Sequence, residues 1–253
     1  MKKSRNQLYL NQTYSQHAVL QHEIADRCID YLSDGALTPA HIINLLARDS
    51  YLTTRLQAQY LAANIQEIFT IADANLLKPH NADLLISNLC LQDEDDIGAV
   101  INLCWHSLKP DAHLMITAIG FGSLESLVFA QNAMQINIFP EIKALGNALH
   151  AAGFIETVMH IEKITLTYTN LQTLLDDIRI TGVRPFTDFK GLRTARWFKN
   201  WEDEMKQTHF NEQTGLYSVE FEIIYGSAKM PEFIATKAEN GVAYFSIKDL
   251  KKA

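Results

Sequence analysis

The apolar positions of this chain fall into short branched runs that alternate with stretches of helical spacing. Within residues 13–33, Ala18, Val19, Ile24, Ala25, Cys28, Ile29 and Leu32 recur at helical intervals, and Ser33-Asp34-Gly35 ends the helix they predict. The run His41–Ala47 (HIINLLA) predicts a first strand and Tyr51–Ala63 a helix. Glu67–Ala72 (EIFTIA) predicts another strand, with Asp73 at its end. Asp83–Ser87 is apolar and branched without alternation, the pattern of a strand buried on both faces. Acidic residues (Asp93, Glu94, Asp95, Asp96) then precede Ile97, Val100, Ile101 and Cys104, so the predicted helix starts with charges that suit its dipole. Lys109-Pro110 stops that helix, because proline cannot continue it. His113–Ile119 is the next predicted strand, and Gly120-Phe121-Gly122-Ser123 turns the chain, with Ser123 as the cap of a helix from about Leu124.

The rest continues the alternation. Pro140–Ala152 predicts an amphipathic helix with Gly153 as its left-handed stop. Phe154–Tyr168 predicts a strand or strand pair, Asn170 a cap for the helix Leu171–Ile180, and Gly182 its end. Asp188–Thr208 has helical spacing with aromatic residues on it. Tyr217–Ala228 alternates polar and apolar, as a half-exposed edge strand does, and Val242–Ile247 is a weak strand in the tail. Alternating strands and helices closed by an antiparallel strand predict an α/β fold, a doubly wound, mostly parallel sheet. One domain over residues 1–253 follows: a helical lid (1–35), a sheet core (36–168 and 217–228), a helical insertion (169–216) and a tail (229–253). Ligands of such sheets bind beyond the carboxyl ends of the strands, which marks Asn88-Leu89 and Gly120–Ser123.

Composition narrows the partners. With 47% apolar and 20% charged residues, the 253-residue chain has ample core for one large domain. A net charge of −7 argues against general nucleic-acid binding, which needs a basic footprint. No apolar run approaches the ~20 residues that span a membrane. The basic start MKKSRNQLYLNQ has no apolar stretch behind it and does not read as a signal peptide. Cys28, Cys90 and Cys104 are widely spaced within apolar patterns, as buried free thiols are, and a reducing, cytoplasmic setting is expected. His17 and His22 lack ligand spacing and Cys90 and Cys104 lack a CxxC partner, so no metal is expected. The Gly120–Gly122 turn lacks the lysine of a phosphate loop, and no G-x-S-x-G is present.

Several strings together resemble one family. Tyr14, Ala18 and Leu20-Gln21 in YSQHAVLQHEIADRCIDYL (Tyr14–Leu32), DLLISNLCLQ (Asp83–Gln92), LKPDAHLMITAIGFGSLESL, HIEKITLTYTNLQTLLDDIRITGVRP (His160–Pro185) and YSVEFEIIYGSA resemble the BioC-type malonyl-acyl carrier protein O-methyltransferases, which are class I S-adenosylmethionine (SAM) methyltransferases. The likeness covers most of residues 9–228 and is strongest over Asp83–Pro185. It implies methyl transfer from SAM to the free carboxyl of a carrier-bound malonyl thioester. It also implies Tyr14 and Arg184 as catalytic residues and Gln21, Asp73, Ala74, Asn88 and Leu89 around the cofactor. Tyr14 reads equally as a core aromatic. Arg184 reads either as a bidentate clamp for a carboxylate or as a surface arginine.

Two departures from the family stand out. Its first strand runs into an acid and a glycine-rich turn, whose bare backbone approaches SAM. Here the matching segment is INLLARDSYLTTRL (Ile43–Leu56), with Asn44 in place of the acid and no glycine between Gly35 and Gly98. Asp49 or Ser50 reads as a helix cap instead. The chain is also short by about one strand-helix unit before Asp83. One alignment puts Asp73 at the end of a third strand and removes the second. The other makes Asp73 the ribose-binding acid of the second and removes the third. Both describe a degenerate SAM site. The alternative to an enzyme is a SAM-incompetent pseudo-methyltransferase acting as a binding or regulatory partner. Arg179, Lys190, Arg193, Arg196 and Lys199 form a basic stretch in an acidic chain, suited to an acidic acyl carrier protein or simply to solvent. Trp197 and Trp201 read as packing residues.

Overall fold

The computed structural model describes residues 14–91, 94, 96–128, 139–182, 194–232, 237–239 and 242–244. The chain opens with α1 (Tyr14–His17) and α2 (Val19–Ser33), then β1 (His41–Leu45), α3 (Tyr51–Gln59), β2 (Asn64–Ile68), α4 (Ile71–Ala74) and β3 (Ala82–Ser87). It continues with α5 (Ile97–Ser107), β4 (Leu108–Ile119), α6 (Glu125–Val128), α7 (Ile142–Ala152), β5 (Ile155–Tyr168) and α8 (Leu171–Ile180). The last elements are α9 (Ala195–His209), β6 (Phe210–Asn211), β7 (Leu216–Lys229) and the small pair β8 (Lys237–Glu239) and β9 (Val242–Tyr244).

The main sheet has the order β2-β1-β3-β4-β7-β5, with β6 also on β7. β2, β1, β3 and β4 run parallel, and β7 is antiparallel to both of its long neighbours. Along β3, Leu84 and Ile86 enter one core and Leu85 the other. This two-sided burial is why the strand is apolar without alternation. The first core packs α2, α3, α8 and α9 on one face of the sheet, and the second packs α5 and α7 on the other. Cys28, Cys90 and Cys104 are all buried free thiols, and burial pushes Cys28 and Cys104 up to about 12, so both stay protonated.

Several local expectations change. The first helix is split at Ala18 into α1 and α2. β4 starts at Leu108 and runs through Pro110. Proline fits there because the pairing with β3 jumps from Ala82↔Leu108 to Leu84↔His113, leaving no ladder bond for it to donate. Ser123 does not cap α6. Its hydroxyl donates to the Glu222 carbonyl at 3.0 Å and accepts the Glu222 N–H at 2.8 Å. Phe154–Tyr168 is a single strand, and Tyr217–Ala228 lies inside the sheet rather than at its edge, because β5 pairs along its outer side. Gly153 has φ +97° and Asn170 accepts the Thr173 N–H at 2.9 Å, both as the sequence predicts. The segments 183–193 and 245–253, including parts of the predicted Asp188–Thr208 helix and Val242–Ile247 strand, lie outside the described residues.

The deletion is now located. A doubly wound sheet of order 3-2-1-4-5-6 has two strands beyond the first on one side. Here only β2 lies beyond β1, paired with it at five positions, so the third strand is the one absent among the described residues. A groove of about 690 Å³ runs between Ile71–Pro79 and α5 on that side.

At the opposite ends of the strands, Asp83 ties two of them together. Its carboxylate accepts from the Lys109 ammonium at 2.6 Å and from the His41 and Ala40 N–H groups at 2.8 and 3.1 Å. Burial pushes its pKa up, but these donors outweigh burial and hold it below the usual range. A lowered carboxylate pKa adds stability above the ordinary value near 4, and that stability is lost as pH falls through the lowered one. Asp83→Asn is expected to cost about 1 kcal/mol near neutral pH, after discounting for partial exposure, and progressively less as pH falls through the lowered pKa. Urea unfolding of both proteins across that pH range measures the difference.

Candidate functional site

The carboxyl ends of β1, β2, β3 and β4 open on one side of the sheet, where a doubly wound fold holds its ligand. The segments that follow these strands are Leu46–Ser50, Phe69-Thr70, Asn88–Leu91 and Gly120–Leu124. α1 and α2 cross above them. The structure brings Tyr14, Gln21 and Asn88 together with Asn44, Arg48 and Asp49 around one cavity.

That cavity has a volume of about 20 Å³, room for about one water. Ligand pockets for small molecules run to about 300–1,000 Å³. The space is taken by the loop after β1. Leu46 has φ +58° and is buried in the second core. A left-handed leucine costs about 1 kcal/mol or more, which the surroundings must offset. The Ala47 N–H donates to the Ile68 carbonyl at 2.9 Å and the Leu46 carbonyl accepts the Cys90 thiol at 3.0 Å, which fix the turn. Asn44, in the family's acidic position, is 2% exposed and donates its amide to the Thr53 hydroxyl at 3.0 Å.

Asp49 closes the site from the same loop. One of its carboxylate oxygens meets the Ser15 hydroxyl at 2.9 Å and His22 Nε2 at 2.7 Å; the other accepts the Tyr51 N–H at 3.2 Å. Ser50 holds the N-cap position of α3 without a side-chain bond, while Asp49, one residue earlier, takes the first helical N–H and fastens α1 and α2 to the loop. The His22 ring stacks on Tyr51 with centroids 4.0 Å apart. The Tyr51 hydroxyl donates to Asp26 at 2.8 Å, and Asp26 pairs with Arg55 at 2.6 Å. The hydrogen bond to Asp26 raises the Tyr51 pKa. A second fastening holds α1 to α8. His17 Nδ1 lies 2.7 Å from the Asp177 carboxylate, whose pKa burial pushes up against the opposing pull of His17. No local sequence signal marks His22, Asp26 or Tyr51 for these roles.

The other wall is built on Asn88 and Leu89. The Asn88 amide donates to the Gln21 carbonyl at 2.8 Å and its oxygen accepts the Thr117 hydroxyl at 2.8 Å. Leu89 has φ +48° and its N–H donates to Thr117 Oγ1 at 3.0 Å. The Gln21 side chain is 5% exposed, and Oε1 has no hydrogen-bond partner among the described residues. At the Gly120–Gly122 turn the Glu222 carboxylate lies over the backbone. A Cβ on Gly120 would stand 2.3 Å from Glu222 Oε1, and one on Gly122 2.6 Å from Oε2.

Asp73 and Ala74 do not line the cavity. Asp73 is exposed on α4, where its carboxylate accepts the Thr70 hydroxyl at 2.7 Å and its N–H donates to Thr70 Oγ1 at 3.1 Å, and Ala74 packs into the second core. β2 ends at Ile68, and the acid near its end is Glu67, level with Asn44 of β1; the Glu67 Oε1 is buried without a hydrogen-bond partner among the described residues. Tyr14 is 3% exposed, beside Ala18 and Ile180. Of the basic stretch, Arg179, Arg196 and Lys199 are described; Lys190 and Arg193 lie outside the described residues, as does Arg184. Arg196 and Lys199 are exposed on the first half of α9, and Arg179 pairs with Asp176 at 2.7 Å.

SAM does not fit these residues. The cavity is too small, and side chains stand where glycines would bare the backbone. Among the described residues, no group of three or more His, Cys, Asp or Glu is placed to hold a metal ion, and no helix is long and apolar enough to cross a membrane.

The chain is 25% identical over 252 residues to malonyl-[acyl-carrier protein] O-methyltransferase 1 of Coxiella burnetii, across 90% of this chain and 87% of that protein. It is 26% identical over 254 residues to malonyl-[acyl-carrier protein] O-methyltransferase of Laribacter hongkongensis, across 87% and 85%. In three dimensions it is similar to a Bacillus halodurans protein described as a methyltransferase, with TM-score 0.54 and 10% identity over 80% of this chain and 98% of that one. The YcgJ protein of Bacillus subtilis gives TM-score 0.52 and 10% identity over 82% and 99%. No family model matches the chain. The chain is thus a distant relative of the malonyl-acyl carrier protein O-methyltransferases, on the Rossmann-like methyltransferase fold.

Proposed function

We propose that this chain is a methyltransferase-fold protein that has given up SAM and acts as a binding partner, with an acyl carrier protein as its target. The observation that carries the reading is the 20 Å³ cavity at the strand ends, closed by Leu46, Asp49 and His22 where a cofactor would lie. The carrier protein is proposed from the two curated relatives, whose names specify that substrate. The exposed cations Arg196 and Lys199 on α9 suit an acidic partner, and Arg184, Lys190 and Arg193 are proposed to extend the same surface.

The second reading is the enzyme: methyl transfer from SAM to the free carboxyl of malonyl-acyl carrier protein. It is favoured by the convergence of Tyr14, Gln21 and Asn88 on the cavity. Calorimetric titration separates the two. SAM and S-adenosylhomocysteine are expected to give no saturable heat below about 1 mM. Micromolar affinity for either overturns the binding-partner reading in favour of the enzyme. The partner is tested by titrating malonyl- and holo-acyl carrier protein at rising salt. Measurable affinity that weakens with salt is expected, and it falls further in an Arg196→Glu, Lys199→Glu variant.

A further inference from the structure

We infer that two copies of this chain join edge to edge through β2, antiparallel about a two-fold axis at Gln66. Pairing occupies one side of β2 only, and among the described residues no strand lies on the other. The strand that the doubly wound order places there is missing, which leaves a row of backbone N–H and C=O groups open to a partner.

Natural proteins blunt such edges with charged side chains, lysine above all, with proline or with bulges. The opposite edge of this sheet follows that rule. β5 has a register break between Ile155 and Val158 and carries Glu156, Glu162 and Lys163. β2, Asn64–Ile68 (NIQEI), carries one charge, Glu67, has no proline, glycine or lysine, and keeps an unbroken register with β1 over its whole length. Exposed apolar side chains bracket it: Leu61 is 84% exposed before the strand, and Phe69 and Leu76 are 37% and 84% exposed after it.

The strand is complementary to itself. Antiparallel pairing centred on Gln66 uses all five extended residues and no others. It sets Asn64 opposite Ile68 of the second copy and Ile65 opposite its Glu67, so no two carboxylates face each other. It also brings the Leu61 end of each strand beside the Phe69 end of the other. Centring one residue later would oppose Glu67 to itself. An acidic carrier protein suits this edge poorly, because Glu67 and the exposed Asp73 stand beside it. A two-fold interface of this kind needs only one patch, repeated.

The test is sedimentation equilibrium on the full chain, with variants at the axis. The native chain is expected to dimerise in a concentration-dependent way. Gln66→Lys and Gln66→Glu each place like charges together and are expected to weaken the dimer by about tenfold or more. An equimolar mixture of the two variants is expected to regain dimer as a heterodimer. Gln66 is exposed, so circular dichroism melts of the variants should match those of the native chain. A native chain that stays monomeric up to its solubility limit overturns the inference. So does a dimer that both variants leave unchanged, or a mixture that associates no better than its components.

Discussion

Trp201→Ala is expected to lower the free energy of unfolding by about 3–5 kcal/mol, the range for truncating a buried tryptophan. Trp201 is fully buried in the cluster that holds Tyr168, Val219 and Phe221 and, with Met205, anchors α9 on the sheet. Its indole N–H has no hydrogen-bond partner among the described residues, so the side chain stabilises through contact area alone. Trp201→Phe should therefore cost far less, about 1 kcal/mol, since losing a buried unpaired donor offsets part of the lost contact. Urea unfolding of both variants gives the two values. Because α9 carries Arg196 and Lys199, Trp201→Ala should also weaken any partner that uses this helix, whereas Trp201→Phe should leave it intact.

Asp49→Ala is expected to cost about 2–3 kcal/mol and to loosen α1 and the start of α2. One carboxylate holds Ser15 of α1, His22 of α2 and the first N–H of α3, and hydrogen bonds to a charged, partly buried group are the strong ones. Hydrogen exchange should speed up in α1 and the first turns of α2, while β3 and β4 stay protected. The binding-partner reading predicts no SAM affinity in this variant either. Loosening α1 and α2 leaves Leu46 in the turn and Asn44 tied to Thr53. If Asp49→Ala binds SAM at micromolar concentration, the cleft is latched shut rather than rebuilt.

Much of this was legible along the chain. Strand β3 announced itself by an unbroken apolar run, because both of its faces meet a core. Helices α7 and α8 were marked by Gly153 and Asn170, whose stop and cap are local backbone chemistry. The weakened cofactor loop was visible as a missing glycine pattern, and the shortened stretch before Asp83 as a missing unit. What failed was everything set by distant neighbours. β7 alternates like an edge strand, yet it lies inside the sheet, because β5 covers its far side. Ser123 has the look of a cap, but its hydroxyl is taken by the Glu222 main chain, 99 residues away.

The sequence by itself determined the fold class, the resemblance to a methyltransferase family and the loss of the glycines that SAM needs, because periodicity and backbone freedom are properties of neighbouring residues. Only the tertiary structure decided that the cleft is shut and which strand is gone. The first depends on His22 and Asp49, 27 residues apart, meeting at 2.7 Å across the strand ends. The second depends on which strand β1 accepts as its outer partner, a long-range pairing that no residue of β2 announces alone.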